Sequence, residues 1–146
     1  MIIKAMPLGP FQANCYLLGC EETRAALVVD PGEDPEQILA ELASLELSPV
    51  AYFHTHGHID HAFNLAPVLA DAEARGYDRP QIIAHRHVPA RFARYERLRG
   101  HTTFINRINF GTPPDTVILP EFYYPDTLVD DGMAFRAGDY TVELHA

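Results

Sequence analysis

Residues 54–61 read His-Thr-His-Gly-His-Ile-Asp-His and directly follow an apolar segment that is typical of a buried strand. Side chains two positions apart in an extended chain point to the same side, so His56, His58 and Asp60 can converge. His61 lies one position out of phase. Its ring can swing back toward the others if the chain turns into a helix at this point.

Three histidines and one aspartate within six residues form a cluster of candidate metal ligands. Imidazole and carboxylate together suit zinc, and less selectively manganese, iron or cobalt. A closed structural zinc site usually draws on cysteines and on two separated ligand pairs. The cluster is therefore more typical of an open or two-metal catalytic site that activates a water molecule. The alternative is a solvent-exposed, His-rich loop without chemistry.

Residues 55–61 closely resemble the Thr-His-x-His-x-Asp-His signature of the metallo-β-lactamase superfamily. Residues 27–32, Leu-Val-Val-Asp-Pro-Gly, also resemble the family's strand that ends in Asp-x-Gly. The resemblance implies an α/β fold, the metallo-β-lactamase-type αββα sandwich, as a single domain over residues 1–146.

The same resemblance implies roles for the cluster. His56 and His58 would bind a first metal ion, and Asp60 and His61 would bind a second. Asp60 would also be catalytic, because it would orient a metal-bound hydroxide. The expected cofactor is one or two Zn²⁺ ions, with manganese or iron as alternatives. We expect a metal-dependent hydrolase of an ester, thioester, sulfate or similar substrate. The alternative is a catalytically inactive truncated paralogue or an interaction module on the same scaffold.

Two features depart from the family pattern. Ala62-Phe63-Asn64 follow the motif, where small residues, often Gly-Gly, are usual. This favours an alkyl-sulfatase-like branch over the hydroxyacylglutathione hydrolases and the true β-lactamases. The family's third ligand to the first metal would fall just beyond Ala146. We therefore expect an N-terminal portion of a sandwich that is incomplete at its C-terminus, with an exposed apolar sheet face that would permit self-association.

The rest of the chain predicts alternating strands and helices. Strands are predicted at 2–5, 14–18, 25–29, 50–53, 81–84, 127–129, 133–136 and 140–144, and helices from an N-cap at Asp34, over 62–75 and over 89–99. Residues 100–125 contain four prolines and predict a loop.

Composition excludes several classes of protein. With 146 residues, 47% of them hydrophobic and 21% charged, the chain has the size and make-up of one globular domain. No apolar run approaches the roughly 18 residues that a membrane span needs. The first ten residues lack the pattern of a signal peptide, and two cysteines cannot form a disulfide scaffold. We expect a cytoplasmic protein with reduced thiols and no membrane partner.

The net charge of −9 is unevenly distributed. Eight of the ten arginines fall within residues 75–107, where only Asp78 and Glu96 oppose them. The acidic remainder argues against nucleic acid as a partner, although some members of the family are nucleases. Arg91, Arg94 and Arg97 recur on one face of a predicted helix. They form either a solvated surface or a site that attracts an anionic small-molecule substrate.

Several other polar residues each have two interpretations. We expect His54 to be a hydrogen-bonded residue at the strand end rather than a ligand. His85 and His87 are expected to be structural, with the lining of a substrate pocket as the alternative. Asp30 either orients a histidine ligand or is a turn residue of Asp-Pro-Gly. A supporting role beside the site is conceivable for His145.

Overall fold

The computed structural model describes residues 1–62, 64–115, 119 and 121–145. The strands are β1 (Ile2–Leu8), β2 (Ala13–Gly19), β3 (Ala25–Val29), β4 (Ser48–His54), β5 (Gln81–His85), β6 (Thr127–Val129), β7 (Met133–Ala137) and β8 (Tyr140–Leu144). The helices are α1 (Pro35–Ser44), α2 (Ile59–Ala62), α3 (Leu65–Ala74), α4 (Val88–Arg97) and α5 (Arg99–Phe110). The predicted α/β class is confirmed.

Six strands form one sheet in the order β1-β2-β3-β4-β5-β6. The pairs β1–β2 and β2–β3 are antiparallel, whereas β3, β4, β5 and β6 run parallel. The carboxyl ends of these four parallel strands therefore lie along one edge. Segments that leave different strands meet there, which is where open α/β sheets bind ligands.

The core lies between the sheet and the helices α1 and α3. Ile38 and Leu42 are one turn apart on α1, and they pack in the same buried cluster as Leu65 and Val68 of α3. Tyr52 of β4 is fully buried in this cluster. Complete burial of one such side chain contributes roughly 1.5–3 kcal/mol. These contacts fix the strands whose ends carry the polar cluster.

The opposite face of the sheet is covered only in part. The hairpin β7–β8 packs there through Leu144 against Leu27, Ala51 and Ile83. Over β1 and β2 the same face remains open, with Ile3 61% and Tyr16 38% exposed. The exposed apolar face that the sequence predicts is thus present at this end of the sheet.

One local prediction is wrong and another is corrected in its bounds. Residues 100–110 of the predicted loop belong to α5, of which no residue is buried. The prolines that suggested a loop, at positions 113, 114, 120 and 125, all follow this helix, whereas Phe104 and Ile108 within it are spaced one helical turn apart. Residues 116–118 and 120 of that predicted loop lie outside the described residues. The helix predicted over 62–75 is α3, which begins after its N-cap Asn64, and Ala62 belongs to the preceding turn α2.

Asp34 does occupy the N-cap position of α1, but its side chain makes no capping hydrogen bond. Its Oδ2 instead accepts a hydrogen bond of 2.8 Å from the amide of Gly9. None of the helices within the described part of the chain combines the length and apolar character needed to cross a membrane.

Candidate metal centre

The four predicted ligands lie together at the end of β4. The ring of His56 lies 4.7 Å from that of His58 and 4.2 Å from that of His61, measured between centroids. Asp60 Oδ2 lies 3.5 Å from His61 Nε2. The extended geometry expected for His56, His58 and Asp60 is absent, because β4 ends at His54. The turn into a helix that would bring His61 back is present: α2 carries Asp60 and His61, and the His61 ring lies against His56.

Asp30 connects the end of β3 to this cluster. Its buried carboxylate accepts hydrogen bonds from the amide of Thr55 at 2.8 Å and from Thr55 Oγ1 at 2.6 Å. Asp30 Oδ2 also accepts one from His61 Nδ1, at 3.2 Å. Its backbone has a left-handed φ of 51°, which aspartate tolerates better than most residues. Of the two predicted interpretations, the orienting contact with a histidine is therefore present, within the expected turn.

These hydrogen bonds determine which ring nitrogens carry protons. Thr55 has one hydroxyl proton, which it donates to Asp30, so its oxygen accepts the hydrogen bond of 2.9 Å from His56 Nδ1. His61 Nδ1 likewise donates to Asp30. We assign the Nδ1–H tautomer to His56 and His61, which leaves the Nε2 lone pair of each ring free for a ligand.

The donor set fits a divalent transition-metal ion. One ligand atom from each of Asp30, His56 and His61 lies within 4.8 Å of the others. Asp30 already accepts three hydrogen bonds, so it is better suited to orient the histidines than to bind an ion itself. Partial burial and then the neighbouring His61 lower the pKa of His56. Both effects favour the neutral imidazole that binds metals.

Two glycines let the surrounding segments approach the cluster closely. A Cβ atom on Gly32 would lie 1.8 Å from the backbone oxygen of Asp60, so no side chain fits between the loop after β3 and α2. A Cβ atom on Gly57 would lie 3.0 Å from Cβ and Cγ of Arg91. Gly57 thus allows α4 to pack directly on the His-rich loop.

His54 lies behind the cluster and is fully buried. The predicted hydrogen bond is absent, since neither ring nitrogen has a partner of normal geometry among the described residues. Its ring lies 6.4 Å from that of Phe92, and burial lowers its pKa to about 4. His54 is therefore a neutral core residue and not a candidate ligand.

A cavity of about 350 Å³ opens beside His56. Its wall includes His85, His87, Arg91 and Arg94, so both histidines of the second pair line a pocket. Their rings lie 4.9 Å apart, and the amide of His87 donates to His85 Nδ1 at 3.4 Å.

Two residues show the limits of the sequence analysis, one whose position it did not foresee and one whose role it missed. His145 is 70% exposed, and its ring nitrogens lie 3.5 Å from Glu143 and 3.8 Å from Asp131. It also lines a small pocket that includes Thr55 and His85, so it lies beside the site without a contact to a candidate ligand among those described. Thr55 was missed as a positioning residue. Its role becomes visible only once β3 and β4 are paired in parallel, because that pairing brings Asp30 to it.

Comparison with known proteins adds independent findings. A family model described as the metallo-beta-lactamase superfamily matches residues 8–143. An uncharacterized protein of Aquifex aeolicus is 28% identical over 141 residues, which cover 95% of this chain and 56% of that protein. Hydroxyacylglutathione hydrolase GloC of Haemophilus influenzae is 38% identical over 61 residues, 42% of this chain and 28% of the enzyme.

Among solved structures, TTHA1623 in a di-iron-bound form superposes with a TM-score of 0.61 at 25% identity. The match covers 89% of this chain and 55% of that one. The chain thus spans little more than half the length of the Aquifex relative and of TTHA1623.

Proposed function

Because this chain belongs to the metallo-β-lactamase superfamily, we propose that it contributes the catalytic centre of a metal-dependent hydrolase. The observation that supports this proposal most directly is the hydrogen-bond chain from Asp30. Asp30 fixes the ring of His61 directly and the ring of His56 through Thr55. In both rings the Nε2 atom carries no proton and makes none of these hydrogen bonds. A solvent-exposed loop without chemistry would not need a buried carboxylate to orient its histidines.

We propose that His56 and His58 would hold a first ion and that Asp60 and His61 would hold a second. Zinc, manganese and iron all suit imidazole and carboxylate ligands. A bound ion would lower the pKa of a water molecule toward about 7 and so supply a nucleophile at neutral pH. Asp60 is the proposed catalytic residue. Its carboxylate is 30% exposed beside His61, where it can accept a hydrogen bond from a water and orient it.

Four side chains are few ligands for two ions, since a catalytic zinc usually takes three from the protein. We therefore propose that further ligands come from sequence beyond residue 146 or from another chain. The candidate substrates are carboxylic esters, thioesters and sulfate esters. Sulfate esters are included because Ala62-Phe63-Asn64 favours an alkyl-sulfatase-like branch.

Metal content is the first test. The purified chain is equilibrated with Zn²⁺, Mn²⁺ or Fe²⁺, desalted and measured by elemental analysis. A His56→Ala/His58→Ala variant removes one His-x-His pair, and a His85→Ala/His87→Ala variant removes the other as a matched control. We expect one or two ions per chain in the wild type and in the control, and a loss in the first variant.

Turnover of the three ester classes is then measured with the loaded protein. Hydrolysis that is lost in the His56→Ala/His58→Ala variant would support the proposal. Equal metal content in that variant and the wild type would contradict the assigned ligands. A folded chain that binds no ion at saturating metal would favour the alternative, an inactive paralogue or interaction module on this scaffold.

A further inference from the structure

Two arginines line the cavity beside His56. Arg91 and Arg94 of α4 form one wall, His85 is the last residue of β5, and His87 follows it. Among the described residues, no aspartate or glutamate lines the cavity. The chain as a whole has a net charge of −9, so the cavity wall next to the candidate metal centre is a region of opposite, positive charge. A cleft of one sign raises the local concentration of ligands of the opposite sign.

Three of the other arginines in the basic segment have carboxylate partners. Arg75 pairs with Asp71, Arg79 with Asp126 and Arg86 with Asp130, at 2.6–2.9 Å. Across the described residues, Arg91 and Arg94 have no acidic group within salt-bridge distance. No carboxylate among the described residues therefore neutralises these two charges, although Arg94 is exposed to solvent.

The packing of α4 holds these two arginines next to the His-rich loop. The stem of Arg91 packs against Gly57, where an added Cβ would lie 3.0 Å from it. Phe92, fully buried, anchors the opposite side of the helix and stacks on Phe122 at 5.4 Å. Arg91 and Arg94 are three positions apart and so are neighbours on the helix surface. Two guanidinium groups in this position can bind one oxyanion with several charge-assisted hydrogen bonds.

We propose that this cavity is a subsite for an anionic group of the substrate, a carboxylate, sulfate or phosphate, bound by Arg91 and Arg94. The bond to be hydrolysed would then lie over His56. The part of this inference that concerns the substrate rests on the proposed function. The binding of an anion in the cavity is independent of that function and can be measured separately. A polynucleotide is the less favoured ligand, because the cavity of about 350 Å³ suits a single anionic group and the rest of the chain is acidic.

The first experiment measures anion binding without turnover. Inorganic sulfate and inorganic phosphate are titrated into the metal-free chain at low ionic strength and followed by NMR chemical shifts. We expect saturable binding, with shifts concentrated in residues 85–94. An Arg91→Gln/Arg94→Gln variant should bind about tenfold more weakly or worse, because charge-assisted hydrogen bonds are lost. Arg97→Gln is the matched control on the same helix, outside the cavity, and should bind within about twofold of the wild type.

The second experiment uses two thioesters that differ only in a carboxylate or a carboxamide on the thiol portion. We expect a higher kcat/KM for the carboxylate, and a preference that falls at least several-fold in Arg91→Gln/Arg94→Gln but not in Arg97→Gln. The sulfate and phosphate arms of the first experiment distinguish which oxyanion the cavity prefers.

The outcomes separate the two proposals. Anion binding that depends on Arg91 and Arg94, without any hydrolysis, would support the subsite and contradict the proposed function. Hydrolysis without preference for the carboxylate, together with anion binding equal in all variants, would overturn the subsite and leave the function standing. Tighter binding of a short oligonucleotide than of sulfate, lost in the double variant, would also overturn the small-molecule assignment.

Discussion

Replacing Asp30 with asparagine tests the hydrogen-bond chain that orients the candidate ligands. The asparagine oxygen can still accept from the Thr55 amide, which lies 2.8 Å from Asp30 Oδ1. Its NH₂ group then occupies the position of Oδ2, where Thr55 Oγ1 and His61 Nδ1 both donate, at 2.6 and 3.2 Å. Hydrogen bonds to a charged group contribute about 1.5–3 kcal/mol each. The Thr55 hydroxyl can rotate and His61 can change tautomer, which limits the damage. We therefore expect the free energy of unfolding to fall by about 2–4 kcal/mol.

Two assays measure this effect. Urea denaturation followed by circular dichroism gives the free energy of unfolding of the metal-free chain, and competition with a chromophoric chelator gives zinc affinity. We expect zinc affinity to fall by about 10- to 100-fold, as is common when the partner of a ligating histidine is removed. Thr55→Val removes only the hydroxyl, so a double-mutant cycle with Asp30→Asn isolates the contact between the two side chains.

The matched control is Asp34→Asn, four positions along the chain. Asp34 is exposed, and its carboxylate accepts one backbone amide. Its replacement should lower the free energy of unfolding by less than about 1 kcal/mol and leave zinc affinity unchanged. An Asp30→Asn chain with wild-type zinc affinity and an unfolding free energy within about 0.5 kcal/mol of wild type would refute the proposed role of Asp30.

Three further predictions follow from other parts of the structure. Gly32→Ala places a Cβ 1.8 Å from the Asp60 backbone oxygen. Urea denaturation should therefore show a free energy of unfolding lowered by more than about 2 kcal/mol, together with weaker zinc binding. An unchanged free energy of unfolding would contradict this packing. Burial raises the pKa of the Cys15 thiol to about 12, so disulfide reagents at about pH 8 should modify it only on unfolding, and rapid reaction in the folded chain would contradict its burial. Burial raises the pKa of Asp126, but a backbone amide and Arg79 outweigh it and hold that pKa below its usual range. Its stabilising effect should therefore be present above about pH 4 and be lost as the pH falls further, and an acid denaturation curve of Asp126→Asn that matches the wild type would contradict this.

The sequence indicates where the candidate centre lies because the parts of that centre are local. Four candidate ligands occupy six consecutive positions, so any compact conformation of that loop brings them near one another. The strand before them is equally local, an apolar run that requires burial. The sequence offered a turn into a helix as the way His61 could reach the cluster, but it did not show that the helix begins at Ile59 and carries Asp60 as well.

Contacts between distant segments are harder to foresee. The bond between Asp30 and Thr55 depends on the parallel pairing of β3 with β4, and the contact of Gly57 with Arg91 depends on where α4 packs after β5. Nothing in the spacing of these residues encodes those distances. The helix α5 was missed for a different reason, because the prolines that suggested a loop all follow it and the apolar pair Phe104 and Ile108 was given no weight.

The charges around the candidate centre differ from one side of it to the other, and this difference has a consequence for how a substrate would lie. The β3 side carries the carboxylates of Glu33, Asp34 and Asp60; burial first, and then the two aspartates, raise the pKa of Glu33. On the β5 side, Arg91 and Arg94 line the cavity without an acidic neighbour in its wall. An anionic group placed near Glu33 would meet repulsion, whereas the same group over α4 would meet two guanidinium groups. We therefore expect an anionic substrate to bind in one orientation, with its charged end toward α4 and its reacting bond at His56. Reversing the charge of the α4 wall with Arg91→Glu/Arg94→Glu should then reverse the preference between the carboxylate and carboxamide thioesters, and an unchanged preference would contradict this orientation.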